Sequence, residues 1–377
     1  MTARDGSMTA RRHPLDLVDV LAAARTHAAA GAAANRLHPA VVAQLAVHRL
    51  GKLFLPASLG GHDLSLPEAC EVLTEVAEAD GAAGWAVMIG TGPNWFAGHM
   101  DDALAAAVFG PAHSFVAGSG KVGRAEPVAG GHRVSGTWRW CSGAPWATWF
   151  TFLAREPGEG AAPPFAIAVP AAEVAIDEAS WRSRGLAATA SCDAMLDGTF
   201  VPDGHRFHLD PSGPRRDEPI FRVPFAAFAE ATMAAVAVGI GRRLLGELAA
   251  LARSKVPSFA TEVLAHQAVA QDRFARATAS LRSAESWWRS EVARLWEAAA
   301  SGGGAIEPAT LVDHQLACVH TAQVVAGAAN ALEPLVRHGR APRRRRLGRV
   351  LADARAAGRN AVIAEARFAD AGAALLR

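Results

Sequence analysis

The densest concentration of residues able to do chemistry lies between Gly131 and Trp149, where Trp138, Trp140, Trp146 and Trp149 surround Ser142 and Gly143. Indole faces make flat apolar walls, and a serine hydroxyl beside backbone amides makes directed hydrogen bonds. Together they suit a planar ring system. The same aromatics also fit the core of a β-sandwich, with Ser142-Gly143 as a turn. Downstream, Thr189, Ser191 and Asp193 are spaced two apart in Trp181-Arg-Ser-Arg-Gly-Leu-Ala-Ala-Thr-Ala-Ser-Cys-Asp193. Extended backbone would put them on one strand face; read alone, the segment is a turn-rich strand. The chain contains no tyrosine, so any acid, base or donor is another residue type. His99, His113 and His320 lie in segments that could face a common cavity, but each reads first as a surface or satisfied core histidine.

Other chemistries find little support. Cys70, Cys141, Cys192 and Cys318 are scattered without a CxxC or a paired His spacing, against a zinc site or a disulfide framework and in keeping with a reducing cytosol. Gly239-Ile-Gly241-Arg-Arg-Leu-Leu-Gly246 resembles a dinucleotide fingerprint but lacks the preceding strand, and reads better as small residues admitting a neighbouring helix. Gly118-Ser-Gly-Lys121 lacks the first glycine and terminal Ser/Thr of a phosphate loop. With 38 Lys+Arg against 36 Asp+Glu the formal charge is +2, too balanced for a nucleic-acid surface. The run Arg340–Arg346 reads as a solvated face or an anion or subunit contact. Arg11-Arg12 precedes an apolar stretch interrupted by Asp16, Asp19 and Arg25, unlike an export signal, and no apolar run nears the ~20 residues that span a bilayer.

These residues sit in a three-part chain of 377 residues, long enough for two or three domains. Residues 1–113 read as alanine-rich helices interrupted by Phe54-Leu-Pro56 and Gly60-Gly61. Ser65-Leu-Pro-Glu68 is a capping box that opens a helix running to about Asp80. Residues 114–214 alternate β-branched and aromatic residues between Gly and Pro, as a central β-barrel or sandwich would. Residues 215–377 contain four long periodic segments, 225–253, 264–300, 309–337 and 343 onward, which predict a four-helix bundle. No βαβ alternation is visible, against a Rossmann or P-loop architecture.

The order and spacing of five motifs resemble the acyl-CoA dehydrogenase superfamily. They are Phe54-Leu-Pro56 with Gly60-Gly61; Ala79-Asp80-Gly-Ala-Ala-Gly84-Trp85; Gly130-Gly131-His-Arg-Val-Ser-Gly136-Thr-Trp138 with Ser142-Gly143; Gly185-Leu186 with Thr189-Ala-Ser191-Cys-Asp193; and Val201-Pro202. The nearest branch is that of the two-component, reduced-flavin-dependent monooxygenases, which includes p-hydroxyphenylacetate hydroxylase, dibenzothiophene monooxygenase and amino-sugar N-oxygenases. The resemblance implies a mainly α fold with a central β-barrel and a C-terminal four-helix bundle, assembled as a homotetramer. It further implies reduced FMN or FAD from a separate flavin reductase, O2 as co-substrate and a small organic substrate. By the same resemblance Trp140, Cys141, Ser142 and Gly143 would line the flavin, Ser142 near its N5, and Thr189 and Ser191 would bond it from the next strand. Arg253, Gln267 and Arg273 are candidates for its phosphate side across a subunit boundary. Trp85, Asn94 and Trp95 would shape the substrate pocket.

One departure falls in the last helix. The oxygenase branch carries Arg, then Arg-Asp, then a His; here the aligned residues are Arg349, Ala352-Asp353 and Asn360. At about 100° per residue Arg349, Asp353 and Asn360 would share a helix face. Asparagine donates a hydrogen bond but carries no proton between pH 5 and 8. Its presence favours oxygenation at nitrogen, sulfur or activated carbon over phenol hydroxylation. A second reading is a dehydrogenase of the same superfamily with tightly held FAD, for which Glu230 is the candidate base. A third is a binding protein without redox chemistry.

Overall fold

The computed structural model describes residues 13–158, 163–209, 213–257, 260–302, 304–336 and 342–377. Arg11-Arg12 and the opening residues of the Arg340–Arg346 run lie outside them.

Five helices come first: α1 (Val18–Ala34), α2 (Pro39–Val47), α3 (Leu66–Ala79), α4 (Gly81–Thr91) and α5 (Asp102–Phe109). Ser65 and Glu68 form the expected capping box on α3, each side chain taking the other's backbone N–H. Asp80 ends α3 and caps α4, accepting from Ala83 N at 3.2 Å, so one carboxylate sets the bend between them.

Seven strands follow: β1 (Val116–Val128), β2 (Gly131–Cys141), β3 (Trp149–Arg155), β4 (Phe165–Pro170), β5 (Ala175–Asp177), β6 (Cys192–Pro202) and β7 (Arg206–Phe207). They form one mixed sheet in the order β5-β6-β2-β1-β3-β4-β7. The sheet is open, with β5 and β7 at its edges, so the expected barrel closure is corrected: β7 spans only two residues and pairs with β4 alone. On its sandwich-like inner face Trp138, fully buried, stacks on Phe152 at 4.2 Å. The register between β1 and the parallel β3 slips between Ser119 and Val122, leaving Gly120 and Lys121 as a bulge.

The C-terminal part comprises α6 (Phe225–Ala252), α7 (Ala268–Ala300), α8 (Pro308–Val336), α9 (Pro342–Ala357) and α10 (Arg367–Leu375). The first three match the expected spans to within a few residues. The fourth does not: the chain leaves helix after Ala357, where Gly358 lies against Ala326 and Gln323 Nε2 donates to the carbonyls of Gly358 and Ile363. Asn360 therefore lies beyond α9 and does not continue the face of Arg349 and Asp353.

By length and composition α6 could cross a membrane, contrary to the expectation that no run is long enough, but 72% of its apolar window is buried within the protein. It packs on α3, where Thr74 Oγ1 donates to Ala235 O at 3.2 Å. A Cβ on Gly239 would lie 2.3 Å from Thr74 O, and one on Gly241 3.0 Å from Leu281 and Val325. Those glycines serve close helix approach, as their spacing suggested.

Candidate active site

Two left-handed turns bring the hydroxyls together. At the end of β2 and just beyond it, Trp140 and Gly143 take φ of 62° and 78°; before β6, Leu186 and Ala190 take 52° and 45°. A backbone bond from Gly143 N to Thr189 O, 2.8 Å, ties the turns to each other. Trp85, one turn into α4, donates from Nε1 to Ser142 Oγ at 3.2 Å. Ser142 Oγ lies 2.7 Å from Ser191 Oγ, which lies 2.8 Å from Thr189 Oγ1. Thr189 Oγ1 in turn donates to Leu186 O at 2.8 Å. An indole nitrogen only donates and a carbonyl only accepts, so the relay has one polarity: Trp85 to Ser142 to Ser191 to Thr189 to Leu186. All three hydroxyl residues are buried. With its own proton directed at Ser191, Ser142 has lone-pair capacity left for a ligand donor.

Behind this relay sits a charged cluster. Asp353 Oδ1 accepts from Leu186 N at 2.6 Å, pinning α9 to the first left-handed residue of the turn. Gly185 makes the approach possible, since a Cβ there would lie 2.2 Å from Ala352 O. Burial and then the neighbouring Asp80 charge push the Asp353 carboxyl up to about 7, against the pull of Leu186 N–H, Arg243 and Arg349. Burial likewise raises Asp80, opposed by Arg243, the Ala83 N–H and Arg349.

One helical turn beyond Trp85, Met88 and Ile89 border a cavity of about 340 Å³ between α4, the start of α6 and the β1–β3–β4 part of the sheet. Residues three and four apart share a helix face, so the relay and the cavity adjoin along α4. Phe96, Phe225, Phe228 and Met233 supply apolar wall, and Ser119, Thr151 and Thr232 supply hydroxyls. Strand β1 contributes Gly118, paired with Thr151, and Gly120 of the bulge: a Cβ on Gly118 would lie 2.9 Å from Thr151 Oγ1, and one on Gly120 would meet nothing within 4 Å. Sequence reading missed Thr151, Phe228 and Thr232; the apolar spacing of Phe225, Phe228 and Thr232 along one helix face was the available signal.

The remaining candidates fall elsewhere. Cys141 is buried in the sheet opposite Cys192, while Trp140 is 71% exposed beside the turn. Asn94 is fully buried, with Nδ2 donating to Gly51 O and Oδ1 accepting from Phe54 N and Thr91 Oγ1. Trp95 Nε1 donates to Val223 O at 2.8 Å. Neither borders the cavity; their polar atoms bond Gly51 O, Phe54 N, Thr91 Oγ1 and Val223 O and so cross-link segments of the chain. Glu230, on α6 next to the cavity residue Ala229, turns the other way, 3.0 Å from Gln315 Nε2 and 3.4 Å from Arg367. A base for a cavity substrate would have to face that substrate, and Glu230 does not; burial raises its carboxyl all the same. Asn360 Oδ1 accepts from Val362 N at 2.9 Å in the turn after α9.

Arg253 is exposed and borders a separate cavity of about 190 Å³ with Leu264 and Phe274; Gln267 precedes α7, and Arg273 reaches Ala331 O at 3.5 Å. His99 lies against Trp95, His320 against Trp287, and His113 borders a small cavity with Trp146. His314, unnoticed in the sequence, is fully buried on α8 with Nε2 at Ala227 O, and burial depresses it to about 4.

Comparison with known proteins points the same way as the motifs. Residues 231–365 match the family described as acyl-CoA dehydrogenase, C-terminal domain. Indole-3-acetate monooxygenase of Pseudomonas putida is 28% identical over 337 residues, covering 88% of this chain and 85% of that protein. The oxygenase component of the FADH(2)-dependent resorcinol hydroxylase of Rhizobium sp. is 28% identical over 203 residues, 50% of this chain and 49% of that protein. Among solved structures, XiaF from Streptomyces sp. in complex with FADH2 and glycerol superposes with a TM-score of 0.84 at 21% identity, covering 94% of this chain and 92% of that one.

Proposed function

From a chain that has the acyl-CoA dehydrogenase-like fold and is a relative of the oxygenase components of flavin-dependent monooxygenases, we propose the oxygenase component of a two-component monooxygenase, using reduced FMN or FAD and O2 on a small organic substrate. The observation that carries this reading is the adjacency along α4 of a buried, one-way hydroxyl relay and an apolar cavity of about 340 Å³.

The residues present fit a flavin. Ser142 offers lone-pair capacity between two tight turns, Trp140 presents an exposed indole near it in sequence, and Gly118 and Gly120 add no side chain to the sheet wall. Reduced flavin, when bound, supplies the electrons that activate O2 and the route by which one oxygen atom reaches the substrate. The chain supplies the rest. Ser142, held by Trp85 and Ser191, orients the ring, Asp353 holds the turn before β6 through Leu186 N, and Asp80 caps α4. The walls of Met88, Phe96, Phe228 and Met233 exclude water and orient the substrate. Arg253, Gln267 and Arg273 belong to the same proposal as phosphate-side contacts within a homotetramer, with the reduced flavin delivered by a separate reductase in the cytoplasm.

The test is an anaerobic titration of the full chain with reduced FMN and reduced FAD, followed by turnover under ¹⁸O₂. Tight binding of one reduced flavin and one labelled oxygen in the product supports the reading; a chain that binds no reduced flavin overturns it.

A further inference from the structure

Every described residue bordering the cavity is uncharged. Glu230, adjacent in sequence to Ala229, is turned toward Gln315 and Arg367, and Lys121, next to Gly120 in the bulge, is exposed. An anion drawn into this space would lose its water and gain no cationic partner, a heavy penalty for a carboxylate. The polar side chains bordering it are the hydroxyls of Ser119, Thr151 and Thr232. Thr232 Oγ1 lies 3.1 Å from both Phe228 O and Ala229 O, so its proton is committed to the helix backbone and its oxygen is left to accept. Beside the hydroxyls the lining is aromatic, aliphatic and thioether, and Phe96, Phe152, Phe225 and Phe228 offer rings that pack well on flat faces.

Resting on the reading of the cavity as the substrate pocket, we infer that the enzyme acts on an uncharged, flat aromatic compound carrying one N–H or O–H donor, which Thr232 accepts, and that it discriminates against carboxylates. A relative that covers 88% of this chain is named for indole-3-acetate, an acid, and the inference separates this chain from it in substrate preference.

The experiment is calorimetric titration of the full chain at pH 7.5, alone and with reduced flavin under anaerobic conditions, using indole, 1-methylindole and indole-3-acetate. Indole is expected to bind at least about ten-fold more tightly than indole-3-acetate. Thr232→Val should weaken indole by about five-fold and leave 1-methylindole unchanged. Ala229→Leu, a good helix former that fills the cavity, should weaken all three. Equal or tighter binding of the acid, no binding of any of the three, or indole binding indifferent to Ala229→Leu would each overturn the inference. Reduced-flavin binding in the same cell judges the oxygenase reading separately: flavin bound with a preference for the acid sinks only the substrate class, and flavin unbound sinks the activity.

Discussion

Trp85 Nε1 donates to Ser142 Oγ across 3.2 Å, and this one bond joins helix α4 to the turn after β2 and to the hydroxyl relay. The far end of the relay sets its direction: Thr189 Oγ1 gives its proton to Leu186 O, so Ser191 donates to Thr189 and Ser142 donates to Ser191.

Trp85→Phe keeps the apolar bulk and removes that donor. A buried hydrogen bond lost on one side costs about 1–3 kcal/mol, so reduced-flavin affinity should fall by about ten-fold, measured by anaerobic titration. Unchanged affinity would separate the relay from the flavin.

The Asp353 carboxyl, raised to about 7 from 3.8, gives the protein a pH signature. Between those values the native state holds the proton more firmly than the unfolded chain, so stability is highest below 3.8 for this group and is lost as pH rises toward about 7. Asp353→Asn keeps an acceptor for Leu186 N–H and abolishes the titration. Urea unfolding from pH 4 to pH 8 should show a flatter dependence in the variant than in the wild type; parallel curves would refute the assignment.

Gly185→Ala is expected to be costly, because its Cβ would stand 2.2 Å from Ala352 O and 2.8 Å from Ala356 Cβ. Forcing α9 away from the Leu186 turn should cost about 1–3 kcal/mol of stability and loosen Thr189 and Ser191 with it. Chemical denaturation together with flavin titration reads both effects.

Glu230→Gln separates oxygenase from dehydrogenase chemistry. The amide oxygen still accepts from Gln315, and Glu230 faces away from the cavity, so oxygenation turnover should persist. Collapse of turnover with flavin binding intact would identify Glu230 as the base.

Asn360→Ala removes the acceptor of Val362 N–H in the turn that ends at the fully buried Ile363. The expected cost is about 1 kcal/mol in thermal or urea unfolding.

Features legible in the sequence were those decided within a few residues. The Ser65–Glu68 cap is an (i, i+3) exchange, and α6, α7 and α8 follow from apolar period and flanking breakers. Gly239 and Gly241 likewise announced close helix packing before their neighbours Thr74, Leu281 and Val325 were known. The grouping of Ser142, Thr189 and Ser191 was legible only through motif resemblance, since two segments some fifty residues apart must fold back to bring those oxygens within 2.8 Å.

What the tertiary structure alone decided is orientation and enclosure. Glu230 and Ala229 are neighbours on one helix, yet a rotation of about 100° sends one toward Gln315 and leaves the other on the cavity. Asn94 and Trp95 looked like pocket residues until Gly51 O and Val223 O claimed their polar atoms. Asn360 left the face of Asp353 because Gln323, from another helix, holds the carbonyls of the turn after Ala357. The sheet stayed open because its last strand is two residues long. Local periodicity determines which residues become helix or strand, since those forces act over three or four positions. A cavity's lining and a carboxylate's partner depend on contacts between residues far apart in the chain, and only packing settles them.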